Sequence, residues 1–363
     1  MNKLMRERVP SRIREKLGKH SEVTLLSGRD VFAALRNEKL IIMACNARIK
    51  HVIPGIMQAA EELDAVVAFE LTKTEGGLDG GYTGQTPEIF FHAIIECAER
   101  CKFTRPFVVY GDHITVKNTS AEELEEAEKL LRAQIAAGFT SFAIDASFNP
   151  LQDNINIVDT LAAHVIAEGY GLEVEFGKSK PVGSESTITS LAEVKEFLQG
   201  LAACGVKPLL LAMDNGSKSG NYIDGQKINI DLARTMEIYH TARASGVAGL
   251  VQNGITGTPP QIVGKLADYG IRKGNIGTLW QNIAHAGLPL ELMDTMRQWS
   301  RKNRQDIKFA TGVFKDDIDS IPEENVIQIH EMAYREAKEL LTAFRARGSA
   351  ARLAALLEET GCA

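Results

Sequence analysis

The chain has 363 residues, 44% hydrophobic and 24% charged, a composition that excludes wholesale disorder and collagen-like or low-complexity architecture. Its net charge of −6 excludes a global basic field for a nucleic-acid backbone, and no apolar run reaches the ~18 residues of a membrane span. Five cysteines with no C-x-x-C pair argue against a disulfide framework, so we expect reduced thiols and a cytoplasmic location.

Residues 1–20 depart from the acidic average, carrying seven basic side chains against Glu7 and Glu15. A run of this kind is expected to be a solvated amphipathic helix rather than an RNA-binding arm. Beyond it, short apolar β-branched runs recur: KLIIMACNA (39–47), AVVAFEL (65–71), FVVYGDH (107–113), SFAIDAS (141–147), LEVEFG (172–177), LLLAMDNG (209–216), GLVQNG (249–254) and NIGT (275–278). They are near-continuously apolar, as strands buried on both sheet faces must be.

Between the runs lie amphipathic stretches with apolar residues at three- and four-residue spacing. Ser120 with Glu123 reads as a capping box, and Gly138, Gly205 and Gly246 fall where helices end. Cys97 and Cys101, one turn apart, read as small apolar residues on a buried helix face.

Strand–helix alternation repeated eight times predicts an α/β chain, a (β/α)8 TIM barrel. The lack of Gly-x-Gly-x-x-Gly after the first strand argues against a dinucleotide-binding doubly wound sheet. We expect one domain over 1–363: a helical lead-in at 1–38, the barrel at 39–284 and a helical extension at 285–363. The segment 308–325 reads as an irregular surface loop.

In such a barrel the site forms at the C-terminal ends of the strands. Those positions carry Asn46 and Arg48; Glu70, Thr72 and Lys73; Asp112 and His113; Asp145 and Ser147; Glu173, Glu175 and Lys178; Asp214, Asn215 and Lys218; Gln252 and Asn253; Asn275 and Thr278. Singly, each is open to a capping or turn role. Together they suit polyol binding, proton transfer and a divalent metal. NGSKSGNY (215–222) and NGITGTPP (253–260), ahead of a helix near Pro260, suit backbone contact with a phosphate, with Lys218 and Thr258 beside them.

These residues together resemble the class II ketose-bisphosphate aldolase superfamily, from about residue 28 to 352. AFELTKTEGG is similar to its second-strand segment, GDH (111–113) to its Asp-His pair, AIDAS to its fourth-strand aspartate motif and LEVEFGKSKPVGSES to its E-x-E-x-G stretch. NGITGTP resembles its H-G-G-S-G-T-P loop, GNIGT its N-I-D-T segment and FRARGSA its close. GGYTGQTPEIF (80–90) with GDH looks more like the non-catalytic-type subunits of tagatose-bisphosphate aldolase and their sugar-epimerase relatives.

The resemblance implies Asp112 as general acid/base, His113 as metal ligand, and Asp145 and Glu175 at a second or alternate metal position. It places the phosphorylated ketone on Ser219, Gly220, Asn253, Gly254, Thr256, Gly257, Asn275 and Thr278, and the sugar path along Asn46 and Thr72. Two of the family's three zinc histidines are replaced, by Ser219 and Asn253, and the aspartate of N-I-D-T by Gly277.

Three chemistries follow. A divalent metal (Zn, Mn or Mg) can use His113, Asp145 and Glu175. A lysine imine at Lys178 or Lys218, with Lys73 and Lys180 as further candidates, can serve as the electron sink. Or the chain supports a partner aldolase without catalysis. The expected activity is a carbon–carbon lyase on a phosphorylated sugar, with a sugar epimerase as the alternative, in a homo-oligomer without nucleic-acid or membrane partners.

Overall fold

The computed structural model describes residues 3–18, 20–177, 180–181, 189–220 and 230–361. Among the described residues there are ten strands: β1 (Ile42–Cys45), β2 (Val67–Thr72), β3 (Phe107–Thr115), β4 (Ser141–Asp145), β5 (Gly171–Phe176), β6 (Lys180–Pro181), β7 (Leu210–Met213), β8 (Lys218–Ser219), β9 (Gly249–Gln252) and β10 (Ile271–Ile276). Eight of them close a parallel barrel in the order β1-β10-β9-β7-β5-β4-β3-β2, and β6 pairs with β8 outside it. The expected (β/α)8 architecture is therefore present. Its strands are buried on both faces because helices cover the outside and the interior is filled.

Local signals act as their chemistry requires. The Ser120 hydroxyl accepts the Glu123 amide at 3.3 Å, but the Glu123 carboxylate turns away to the Lys117 amide, so half of the capping box forms. Gly138, Gly205 and Gly246 take positive φ at helix ends. The N-terminal segment is helical over Lys3–Glu7, Ser11–Leu17 and Gly28–Ala34.

The eighth barrel strand differs from the expected 275–278. It runs Ile271–Ile276, because Arg272 and Lys273 are buried rather than exposed. Its pairing with β9 slips by one residue between Ile271 and Lys273. Arg272 bonds outward to carbonyls of Ala267 and Ile271, and the Lys273 amine meets acids carried by β2, β3 and β5. The segment 308–325 is not an irregular loop either. It folds into the short helices Ala310–Val313 and Lys315–Asp319, with Ala310, Thr311 and Ile318 buried. Further on, helix Glu323–Ala343 lies against helix Ile53–Leu63. At the crossing a Cβ on Gly55 would stand 2.3 Å from the His330 carbonyl oxygen, so only glycine permits this approach.

Candidate functional site

Parallel strands deliver all their C-terminal ends to one mouth of the barrel. There a cavity of about 340 Å³ is lined by Asn46, Thr72, Asp112, His113, Asp145, Glu175, Gly220, Asn253, Gly254, Thr256, Asn275 and Thr278 from the expected set. Lys178 lies outside the described residues, as do the side chains of Ser219 and Lys180. Lys218 and Gly257 do not line the cavity; Lys218 instead sets its backbone against Gly254. Lys73, an imine candidate, is turned to the Thr115 carbonyl and to Glu123 and Glu126.

Asp112 and His113 share the mouth because β3 is irregular. Its register against β4 shifts between Gly111 and Ile114, and His113 has φ 43°. In a regular strand, neighbouring side chains point to opposite faces; the bulge and the left-handed residue re-aim them. A left-handed non-glycine costs about 1–2 kcal/mol, strain of the kind that collects at functional sites.

His113, Asp145 and Glu175 form a tight group, with one potential ligand atom from each lying within 4.8 Å of the others. His113 Nδ1 is in close contact with Glu175 Oε1 and 3.9 Å from Asp145 Oδ2, while its Nε2 lies 3.7 Å from Asp112 Oδ2. Burial alone would lower the imidazole pKa, but the charges of Asp112 and Glu175 hold it well above its ordinary value. Glu175 is pushed up to about 8 by burial and by the charge of Asp145. Burial opposes ionisation of Asp145, yet hydrogen bonding to His113 and the Ser147 hydroxyl keeps its pKa below the usual value.

Three buried acids beside one imidazole carry excess negative charge, relieved by a proton or a cation. One histidine and two carboxylates suit a hard or borderline divalent ion such as Mg, Mn or Zn. The three-histidine zinc arrangement is not reproduced at the Asn253 position, where Oδ1 accepts the Asn275 amide at 3.0 Å.

Across the mouth, β9, β10 and β1 supply amides, hydroxyls and glycines. The Thr256 hydroxyl accepts the Leu279 amide at 3.2 Å, tying the loop after β9 to helix Thr278–Gly287. This helix, rather than the one at Pro260, begins at the cavity wall, because the lining after β9 ends at Thr256. Asp214, Asn215 and Gln252 are also set back from the cavity. Asn215 and Gln252 bond each other at 2.8 Å, and Asp214 Oδ1 accepts the Gly216 amide at 2.8 Å.

Beneath Asp112, Glu70 and Glu173 are not mouth residues but fully buried partners of Lys273. Lys273 Nζ lies 3.0 Å from Glu70 Oε2, 3.0 Å from Glu173 Oε2, 3.5 Å from Asp112 Oδ1 and 4.0 Å from the centre of the Tyr110 ring. Burial would depress the amine's pKa, but the carboxylates of Glu173, Glu70 and Asp112 hold it well above the ordinary lysine value. A fully buried ammonium locked by three acids is no imine nucleophile. The polar pair Arg272–Lys273 just before Asn275 was the available signal for it; Lys117 and Glu75 are further wall residues given no role from sequence, and Arg48, from the strand-end set, lines the wall beside them.

The imidazole of His285, half-buried near Arg48, is lowered to about 4, first by desolvation and then by the Arg48 charge. The folded state therefore excludes a proton that the unfolded chain accepts near pH 6.5. Stability is whole above that pH and is lost as pH falls toward 4, by about 2–4 kcal/mol for the single group. His285→Gln is expected to flatten this acid loss, read as urea midpoints at pH 7 and pH 4.5; an unchanged difference between the two would contradict it.

A closed parallel barrel with titrating groups converging on its C-terminal mouth defines a (β/α)8 enzyme. The sequence profile of the family described as fructose-bisphosphate aldolase class-II matches residues 27–345, and the chain belongs to that family, one of aldolase-type lyases. A fructose-bisphosphate aldolase of Giardia intestinalis is 24% identical over 265 residues, covering 71% of this chain and 74% of its own length. A probable fructose-bisphosphate aldolase of Bacillus subtilis is 28% identical over 228 residues, covering 62% and 71%. Among solved structures, the YdjI aldolase of Escherichia coli K12 superposes with a TM-score of 0.63 at 20% identity, covering 90% of this chain and 99% of that one. A putative aldolase of Coccidioides immitis gives 0.64 at 18% identity, covering 88% and 96%. These last two likenesses concern the fold. Among the described residues no helix is long and apolar enough to cross a membrane.

Proposed function

We propose that the chain is a carbon–carbon lyase of aldolase type acting on a phosphorylated ketose, with an atypical cation site in place of the three-histidine zinc. The convergence of Asp112 with the His113–Asp145–Glu175 group at one side of the mouth carries this reading.

His113, Asp145 and Glu175 would hold a divalent cation, and the chemistry supplied with it bound is polarisation of the ketose carbonyl. Asp112 takes the proton from the hydroxyl beside the bond that breaks and returns it to the aldehyde oxygen in the condensation direction. Its carboxylate is oriented from behind by Lys273 and by the Asn275 amide at 3.4 Å. Asn253, Gly254, Thr256 and Thr278 line the opposite wall, where the phosphorylated end is received. Asn46 and Thr72 flank the path between.

Fructose and tagatose 1,6-bisphosphates are the first substrates to assay, with borohydride trapping and metal analysis on the same preparation. We expect one divalent ion per chain, loss of at least about 100-fold in activity on chelation, and recovery on adding Mn or Zn. Full activity in chelator, with a reduced covalent adduct on Lys178 or Lys218, would replace the cation by an imine. Interconversion of sugar epimers without release of an aldehyde would make the enzyme an epimerase, and no turnover at all would leave the partner-subunit role.

A further inference from the structure

Arg48 follows the end of β1 and reaches Glu75, just past the neighbouring strand β2. Its Nε donates to Glu75 Oε1 at 2.6 Å and its Nη1 to Gln281 Oε1 at 2.6 Å. Both acceptors are buried, and Glu75 Oε2 is itself engaged by the Asn46 amide at 3.0 Å and the Thr72 N–H at 3.1 Å. The Tyr82 ring centre lies 5.8 Å from the guanidinium carbon. The fork is thus held from two sides while its Nη2 is used by neither acceptor.

Gly277 explains where that nitrogen lies. The backbone there has φ −117°, which any residue adopts, so conformation does not demand glycine. Space does: a Cβ on Gly277 would stand 2.7 Å from Arg48 Nη2 and 3.2 Å from its Cζ. The guanidinium lies in the volume that a side chain at 277 would fill, and both residues line the cavity.

We propose that Arg48 is a specificity-determining residue that binds an oxyanion of the substrate, a phosphate or a carboxylate, through the guanidinium edge that Gly277 uncovers. This rests on the reading of the cavity as a sugar-phosphate site. A guanidinium already immobilised by Glu75 and Gln281 loses little side-chain freedom when an anion arrives, so it discriminates strongly. Its planar N–H groups favour an oxyanion over a neutral hydroxyl, because charge-assisted hydrogen bonds are about twice as strong as neutral ones.

The test uses two variants with different liabilities. Arg48→Lys keeps the charge beside Glu75 but removes the fork, and Gly277→Ala keeps Arg48 but pushes Nη2 off its place. Inorganic phosphate and malonate are titrated calorimetrically into the full chain and both variants, with melting curves alongside; KM and kcat for fructose 1,6-bisphosphate follow. We expect both variants to bind one of the two anions about tenfold or more weakly than the unmodified chain. Phosphate as the affected probe identifies a phosphoryl oxyanion, and malonate a carboxylate. KM is expected to rise by a similar factor with kcat changed less.

Unchanged affinity for both anions in both variants overturns the proposal. So does weakening in Gly277→Ala alone, which would assign the anion to backbone N–H groups of the helix that follows. Weakened anion binding in a chain that turns over no sugar phosphate would keep the Arg48 assignment and sink the lyase reading. Normal turnover with an unmoved KM would do the reverse.

Discussion

Asp112→Asn is expected to lower kcat by about 10²–10⁴, the usual contribution of a positioned acid–base group, with KM changed far less. The substitution keeps the shape of the side chain and its place at the bulge of β3, and it removes the capacity to take a proton. Asp112 is nearly fully buried, yet its contacts to Lys273 and Asn275 are long, at 3.5 and 3.4 Å. The loss should therefore register in rate and not in folding. Steady-state kinetics with a melting curve on the same sample decide it. Activity close to that of the unmodified chain, at equal stability, would remove Asp112 from the chemistry.

Lys273→Met carries the largest expected effect on stability. Taking away the ammonium leaves the fully buried Glu70 and Glu173 without their cation beneath Asp112, and breaking a buried ion pair in this way costs about 3–5 kcal/mol. The pH dependence has a definite sign. Burial and the neighbouring charge of Asp112 already raise Glu70, and burial raises Glu173; without the amine both rise further. A carboxyl whose folded pKa is raised stabilises below its unfolded pKa, and that contribution is lost as pH climbs through the folded value. The variant should thus suffer more at pH 8 than at pH 5.5 when urea midpoints are compared. Lys273→Met combined with Glu70→Gln and Glu173→Gln should recover most of the loss, since the two fully buried acids then carry no unpaired charge. A midpoint unmoved by Lys273→Met would show that the cluster contributes nothing net.

The barrel was legible because its strands are apolar throughout and its helices are bounded by serine, glycine and proline. The mouth was legible for a geometric reason: in a parallel barrel every strand end faces the same way, so a polar residue just past an apolar run falls near the site. What the sequence concealed is phase. Glu70 and Asp112 both belong to the last few residues of their strands, yet one is sealed in the barrel interior and the other borders the cavity. Hydrophobic periodicity does not distinguish them: Glu70 is sealed against Lys273, 203 residues further on, and Asp112 stands at the irregularity of β3. The eighth strand, expected at 275–278, left out Arg272 and Lys273 because two charged residues break an apolar run. The bulge that turns Asp112 and His113 to one side leaves no trace in hydrophobic periodicity. The helices Ala310–Val313 and Lys315–Asp319 were missed because four or five residues are too few to display a period of 3.6.

The ion cluster also sets an order of assembly on the ribosome. Glu70, Asp112 and Glu173 leave the exit tunnel well before Lys273, and β1 waits for β10 as its neighbour on one side. Chains ending short of residue 271 hold the two interior acids Glu70 and Glu173 without Lys273, and an unpaired flank on the first strand. Such nascent chains cannot bury their interior at neutral pH, so vectorial synthesis here postpones barrel closure until the last strand has emerged. An arrested chain lacking β10 should therefore stay protease-sensitive throughout its first seven barrel strands, not only at its tip.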